Sequence, residues 1–239
     1  MSTLNKIELK NLFHAKHGWL ESRFHFSFSE YYNTENMQFG VLRVLNDDLV
    51  QPQTGFTTHP HQNMEIVSYC IEGELTHADS MGYKETLKRG DIQYMSAGTG
   101  ITHSEMNDNL DTTLRFLQIW ILPKEDGLTP QYGSRRFEKK DRHNKFFHVV
   151  SGNTDNDAIK IHQDANIYVS EIDAGKTLEF TNQDNRQIYL VCIEGALSVN
   201  DVTLKGRDAL EINEGAKLTF KALEDSHLLM IEMAKADKA

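Results

Sequence analysis

The sequence has 239 residues, 39% hydrophobic and 25% charged, a composition typical of a soluble globular protein and not of a disordered chain. A formal net charge of −10, with no run rich in lysine and arginine, argues against direct binding of nucleic acid or of anionic membranes. The chain also lacks the apolar stretch of a signal peptide or a transmembrane helix, so we expect a cytoplasmic protein.

Short segments rich in β-branched and aromatic residues recur along the chain, separated by the glycine, asparagine and aspartate residues that turns require. Long helical patterns are few, and only residues 9–15 and part of the polar segment 124–145 could hold helix. This pattern predicts an all-β fold, either a sandwich or a barrel. The clearest strand segments are Glu65 to Ile71, Leu114 to Leu122, Ile188 to Ile193 and Leu228 to Met233.

Part of the sequence is repeated. Cys70 to Leu75 reads CIEGEL and recurs as CIEGAL from Cys192, at an offset of 122 residues. The block LKRGD that begins at Leu87 recurs as LKGRD from Leu204, at an offset of 117. Two matching blocks in the same order indicate two copies of one β-domain. We place the N-terminal domain at residues 1–130, a polar connector at 131–145 and the C-terminal domain at 146–239.

Three histidines are spaced in a way that favours metal binding. His59 and His61 flank Pro60, which favours extended backbone, and side chains two apart in a strand leave on one face. His103 and Glu105 have the same spacing, 42 residues further on. If the two segments are neighbouring strands, three imidazoles and a carboxylate meet, a ligand set that suits a divalent transition metal.

These segments resemble a known family. GFTTHPHQNMEIVSYCIEGELTHADS and RGDIQYMSAGTGITHSEMN look like the two metal-binding motifs of the cupin superfamily, and more narrowly of the pirin family. HGWLESRFHFSFSEYYN also resembles the opening segment of that family. The resemblance implies a bicupin, two jelly-roll-like β-barrels in one chain, with one metal in the N-terminal barrel.

By that resemblance the metal ligands are His59, His61, His103 and Glu105. The general cupin pattern takes its carboxylate from a residue shortly after the H-x-H motif, which here is Glu65. Spacing alone does not choose between the two glutamates, and the resemblance to pirins favours Glu105. Glu65 then becomes a residue that orients an imidazole, or simply a strand residue.

The resemblance further implies a quercetin 2,3-dioxygenase, which cleaves a flavonol with O2 and releases CO. We expect Fe(II) as the metal, with Mn, Ni, Co, Cu or Zn as other ions that these ligands accept, and Glu105 as both metal ligand and catalytic base. The alternative is a non-catalytic, metal-binding regulatory protein, a pirin-like transcriptional cofactor or redox sensor. A third hypothesis is a hydrolase or isomerase that uses the same metal ligands. We expect a monomer or a weak oligomer.

The C-terminal copy lacks the ligand types. The repeat offsets map the four predicted ligands onto positions that include no histidine or carboxylate, so we expect no metal in the second barrel. These positions are Thr181, Gln183, Phe220 and Ala222.

Overall fold

The structure, a computed structural model, describes residues 4–153 and 157–235, and its regular secondary structure is nearly all β-strand, as the sequence predicts. Within these residues, no helix is long and apolar enough to cross a membrane. The strands of the first half are β1 (Leu4–Ile7), β2 (Phe13–Lys16), β3 (Leu20–Phe24), β4 (Leu42–Val50), β5 (Thr54–His61), β6 (Glu65–Glu72), β7 (Leu75–Asp79), β8 (Lys84–Leu87), β9 (Ile92–Ser96), β10 (Ile101–Asn107), β11 (Leu114–Ile121) and β12 (Gln131–Arg135). Those of the second half are β13 (Phe147–Ser151), β14 (Ile159–Lys160), β15 (Ala165–Ile172), β16 (Thr177–Asn182), β17 (Arg186–Glu194), β18 (Ala196–Val199), β19 (Val202–Lys205), β20 (Ala209–Ile212), β21 (Ala216–Ala222) and β22 (Ser226–Ala234). A 3-10 helix spans Leu9–Asn11, and a one-turn helix, α1, spans Lys139–Arg142.

The N-terminal unit, Phe13–Phe137, contains a seven-stranded and a four-stranded sheet. The order of the larger sheet is β12-β9-β6-β11-β4-β3-β2, and that of the smaller is β5-β10-β7-β8. Leu75 and Leu87 of the smaller sheet pack against Cys70 and Phe116 of the larger one in a buried cluster. The two inner faces therefore enclose a common interior.

The C-terminal unit combines the chain up to Leu12 with the chain from Glu138 onward. It has the same division into seven strands, β1-β20-β17-β22-β15-β13-β14, and four strands, β16-β21-β18-β19. Its interior is filled by a large hydrophobic cluster to which Leu190, Cys192 and Phe220 contribute. The matching sheets confirm that the chain is a bicupin built from two β-domains.

Hydrogen bonds at one turn show how closely the two copies match. In the N-terminal unit, the Lys88 N–H donates to the Asp91 carboxylate at 2.9 Å. In the C-terminal unit, the Lys205 N–H donates to the Asp208 carboxylate at 3.0 Å. The repeated sequence block thus encodes the same turn twice, because the aspartate side chain fixes the backbone three residues before it.

The strand pairing places two segments differently from the domain limits expected from the sequence. β1 pairs with β20, Leu4 opposite Ile212, so residues 4–12 belong to the C-terminal unit. Residues 131–135, assigned to the connector, form β12 and pair with β9. Both pairings join segments that are far apart in the chain, and such pairings leave no local signal.

Gly98, in the loop that leads into β10, is a sensitive position for stability. Its φ is +46°, and a Cβ there would lie 1.9 Å from the Leu128 carbonyl oxygen. We expect Gly98→Ala to lower the free energy of unfolding by about 3 kcal/mol, because it combines left-handed backbone strain with a backbone clash. Gly82→Ala, at φ +92° with open space around it, should cost about 1 kcal/mol. Denaturant unfolding measures the free energy of unfolding of both variants. Equal losses of stability would show that the backbone clash at Gly98 adds nothing to the strain.

Candidate metal centre

Two antiparallel neighbours, β5 and β10, carry the predicted ligands. His59 lies directly opposite His103, and the register shifts between His103 and Glu105. The strands approach closely near this irregularity, since a Cβ on Gly55 would lie 2.4 Å from the Glu105 carbonyl oxygen. Glycine at position 55 therefore allows the close approach of the two strands.

The three predicted histidines form one compact group. Their ligand atoms all lie within 4.8 Å of one another. The ring centroids are 4.5 Å apart for His59 and His103, 4.8 Å for His59 and His61, and 4.9 Å for His61 and His103. The sequence-based expectation that two distant strand segments bring these imidazoles together is confirmed.

The chemistry of this histidine group fits a divalent cation. Burial, reinforced by the His103 and His59 rings, lowers the pKa of His61 to about 4. Burial, reinforced by the His59 and His77 rings, lowers the pKa of His103 to about 3. The two imidazoles therefore stay neutral near pH 7, which is the form that coordinates a metal.

Hydrogen bonding leaves ring nitrogens available for an ion. The Nδ1 of His59 lies 2.7 Å from the Thr57 carbonyl oxygen, which only accepts, so Nδ1 carries the proton and Nε2 keeps its lone pair. His103 is 1% exposed, and neither of its ring nitrogens has a hydrogen-bond partner among the described residues. Buried polar atoms without partners are costly, and a bound cation would satisfy the ring nitrogen of His103 that carries the lone pair.

Glu105 is buried close to the histidines but is held by other side chains. Its carboxylate accepts hydrogen bonds from Ser68 Oγ at 2.6 Å, from Gln93 Nε2 at 2.8 Å and from Gln118 Nε2. It is not a member of the group whose ligand atoms lie within 4.8 Å of one another. Glu105 as metal ligand and as catalytic base thus stays a proposal.

Glu65, the other candidate carboxylate, has different surroundings. It is fully buried and accepts a hydrogen bond from the Tyr94 hydroxyl at 2.7 Å. Alternation along β6 places it on the opposite face from Ser68, the residue that binds Glu105. This placement supports Glu105 over Glu65 as the glutamate of the site.

A cavity of about 400 Å³ adjoins His59, His61 and Glu105. Five aromatic side chains form part of its remaining wall, together with several polar side chains. Sequence reasoning did not identify these residues as lining the site, because their convergence depends on how distant strands pair. The aromatic residues are Trp19, Phe24, Phe28, Phe56 and Trp120, and the polar ones include Asn46, Asp48 and Gln118.

A buried histidine beside the site was also missed. His77 on β7 lies opposite Glu105 on β10, and its ring centroid is 5.5 Å from that of His103. Its Nε2 lies 2.9 Å from an oxygen of Asp79, and its ring stacks on Tyr132. The spacing H-x-D at positions 77 and 79 was the available signal, since both side chains face the same way in a strand.

Strand pairing changes the positions that correspond to the ligands in the C-terminal unit. His59 lies opposite His103 in the first unit, and Leu178 lies opposite Phe220 in the second. Phe180, two residues further along, then corresponds to the second histidine of the H-x-H motif. Leu178 and Phe180 both pack against the hydrophobic cluster of this unit.

The expected counterparts Thr181 and Gln183 therefore lie beyond the matched positions. Cys70 follows His61 by nine residues, whereas Cys192 follows Phe180 by twelve, so the offset of 122 does not extend back to β16. Phe220 and Ala222, the other expected counterparts, are buried.

We expect the chain to bind one divalent ion and not two, because only hydrocarbon side chains occupy the corresponding positions in the C-terminal unit. Elemental analysis of protein dialysed after loading with nickel(II) measures the number of nickel ions per chain. A ratio near two would show a second site that this pairing does not explain.

Comparison with known proteins agrees with both halves of the fold. Residues 6–121 match the family model described as Pirin, and residues 148–233 match the quercetinase C-terminal cupin domain. A pirin-like protein of Caulobacter vibrioides is 45% identical over 221 residues, 92% of this chain and 95% of that protein. A quercetin 2,3-dioxygenase of Escherichia coli K12 is 38% identical over 220 residues, 92% of this chain and 94% of that protein.

Solved structures show the same relationship. The crystal structure of the bacterial pirin YhhW from Escherichia coli in complex with nickel(II) has a TM-score of 0.92 and 35% sequence identity. The match covers 98% of this chain and all of that one. With its paired β-domains and its three clustered histidines, the chain belongs to the pirin family.

Proposed function

We propose that this pirin is a metal-dependent quercetin 2,3-dioxygenase, which opens the central ring of a flavonol with O2 and releases CO and a depside. The observation that carries the proposal is the placement of the histidine group beside an aromatic cavity of about 400 Å³. This volume lies within the range of small-molecule sites. The names of similar bacterial proteins point to the same activity.

His59, His61 and His103 would hold the ion, with Glu105 as the fourth ligand. When bound, a divalent ion with three neutral imidazoles and one carboxylate supplies a Lewis-acidic centre of net charge about +1, which attracts the oxygen of an ionised flavonol. We propose Fe(II) as the cellular metal, and nickel(II), found with the similar Escherichia coli pirin, is a second candidate.

We propose that Glu105 takes the proton of the substrate hydroxyl. Its carboxylate lines the cavity, and hydrogen bonds from Ser68, Gln93 and Gln118 fix its orientation. A carboxylate offers about four lone-pair positions, so beyond these three bonds one position remains, which the metal ion and the substrate hydroxyl would share in turn. A substrate hydroxyl that reaches a Glu105 oxygen can transfer its proton there as to a general base.

The aromatic wall binds the flat rings of the substrate and excludes water. Phe56 packs edge-on against Trp19 with centroids 5.0 Å apart, and Phe28 packs edge-on against Trp120 at 5.4 Å. Such pairs are rigid, so they present preformed apolar surface to a planar ligand.

We further propose a cytoplasmic location, a monomeric or weakly associated state, and no direct nucleic-acid partner.

Aerobic incubation of the Fe(II), Mn(II) and Ni(II) forms with quercetin tests the function. We expect loss of the flavonol absorbance together with release of CO in at least one form. Stable binding of metal with no turnover in any of the three forms would contradict the proposal and favour the regulatory reading.

A further inference from the structure

A row of polar side chains crosses the inner face of the large sheet of the N-terminal unit. Gln93 on β9 lies opposite Ser68 on β6, Ser68 lies opposite Gln118 on β11, and Gln118 lies opposite Asn46 on β4. The first three of these residues all donate hydrogen bonds to Glu105. Asn46, at the end of the row, is not one of the residues that donate a hydrogen bond to the Glu105 carboxylate.

Asn46 has an acceptor without a partner. The residue is 3% exposed, it lines the cavity, and its Oδ1 has no hydrogen-bond partner among the described residues. Buried amide oxygens are nearly always hydrogen-bonded, because burial removes them from water. A donor brought into the cavity by a ligand would satisfy this atom.

The neighbours of Asn46 show which ligand group fits. Asp48, two residues along β4 on the same face, also lines the cavity, and its carboxylate accepts a hydrogen bond from the Ser22 hydroxyl. On the other side, Phe24 lies opposite Asn46 in the sheet. The wall therefore presents hydrogen-bond acceptors next to an aromatic surface, which favours a hydroxyl carried by an aromatic ring.

Asn46 lies away from Glu105, and therefore away from the substrate oxygen that reacts there. Asn46 is one strand beyond Gln118, and neighbouring strands lie about 4.8 Å apart. A flat ligand with one oxygen at Glu105 can thus place a second ring substituent at Asn46.

We propose that Asn46 is a specificity-determining residue whose Oδ1 accepts a hydrogen bond from a second hydroxyl of the substrate, away from the hydroxyl at Glu105. This inference rests on the proposed function. It narrows the substrate class to polyhydroxylated flavonols over flavonols that carry the reacting hydroxyl alone.

Ligand binding without turnover tests this role. Trp19 and Trp120, the two tryptophans of the chain, both line the cavity, so quenching of their fluorescence reports occupancy. The nickel-loaded protein is titrated under anaerobic conditions with quercetin and with 3-hydroxyflavone, which has the reacting hydroxyl alone. We expect Asn46→Leu to weaken quercetin binding about tenfold, the effect of one lost hydrogen bond, and to change 3-hydroxyflavone binding less than twofold.

Asn182→Leu is the matched control, because Asn182 of the C-terminal unit is also buried and its Oδ1 has no hydrogen-bond partner within the part of the chain that the structure describes. This control should leave the binding of both flavonols unchanged. Asn46→Ala replaces Asn46→Leu if the leucine variant does not fold. Equal weakening of both flavonols, or unchanged quercetin binding, would overturn the role of Asn46.

The outcomes separate this inference from the proposed function. If the protein binds quercetin more tightly than 3-hydroxyflavone in a way that depends on Asn46, and yet turns over neither flavonol, that result would support the inference and contradict the dioxygenase activity. If the protein turns over both flavonols, and Asn46→Leu does not alter the ratio of the rate with quercetin to the rate with 3-hydroxyflavone, the inference is contradicted and the proposed function is not.

Discussion

Replacing His103 by alanine should reduce bound metal from about one ion per chain to none and abolish turnover. His103 lies opposite His59 in the strand pair and is the most deeply buried of the three imidazoles. Its loss leaves two imidazoles and the proposed ligand Glu105, and we expect this reduced set not to hold a divalent ion through dialysis. Elemental analysis after loading with nickel(II) and dialysis measures the occupancy.

His162→Ala is the control for this variant. His162 lies in the C-terminal unit, outside the histidine group. The variant should keep the metal content and the activity of the parent protein. Equal metal in the His103 and His162 variants would show that the ion is held elsewhere.

Replacing Glu105 by glutamine should lower kcat about 100-fold or more, because glutamine keeps the size of the side chain but cannot accept the substrate proton. The same change at Glu65 should leave kcat within a few-fold, since Glu65 lies on the other face of β6 and binds Tyr94. This pair of variants compares the two glutamates that the sequence left open. Steady-state kinetics with quercetin, on protein of verified metal content, measures the difference.

A large loss of kcat in the Glu65 variant, with an active Glu105 variant, would reverse the assignment. Metal affinity is measured on both variants as a second readout. A weaker affinity of the Glu105 variant for nickel(II) would show that the carboxylate is a ligand as well as a base.

The histidine group could be predicted because its signal is local. In an extended segment the two-residue period determines which side chains share a face, so His59 with His61, and His103 with Glu105, needed only the assumption of neighbouring strands. The pairing of His59 with His103 confirms that assumption. The repeat of LKRGD as LKGRD was equally informative, because the same turn forms in both units.

The features that the sequence did not reveal all depend on pairings across the fold. The joining of Leu4 to Ile212 cannot be read from the residues around either one. The same holds for the row from Gln93 to Asn46, which exists only once four strands are aligned in register. The sequence thus indicates the metal ligands more readily than the wall that selects the substrate.

Anomalous diffraction at the nickel edge, from crystals of the nickel-loaded protein, tests the central claim most directly. We expect one peak per chain, about 2.1 Å from a ring nitrogen of each of His59, His61 and His103. An absence of anomalous density between the three imidazoles in a protein that retains nickel would contradict the account.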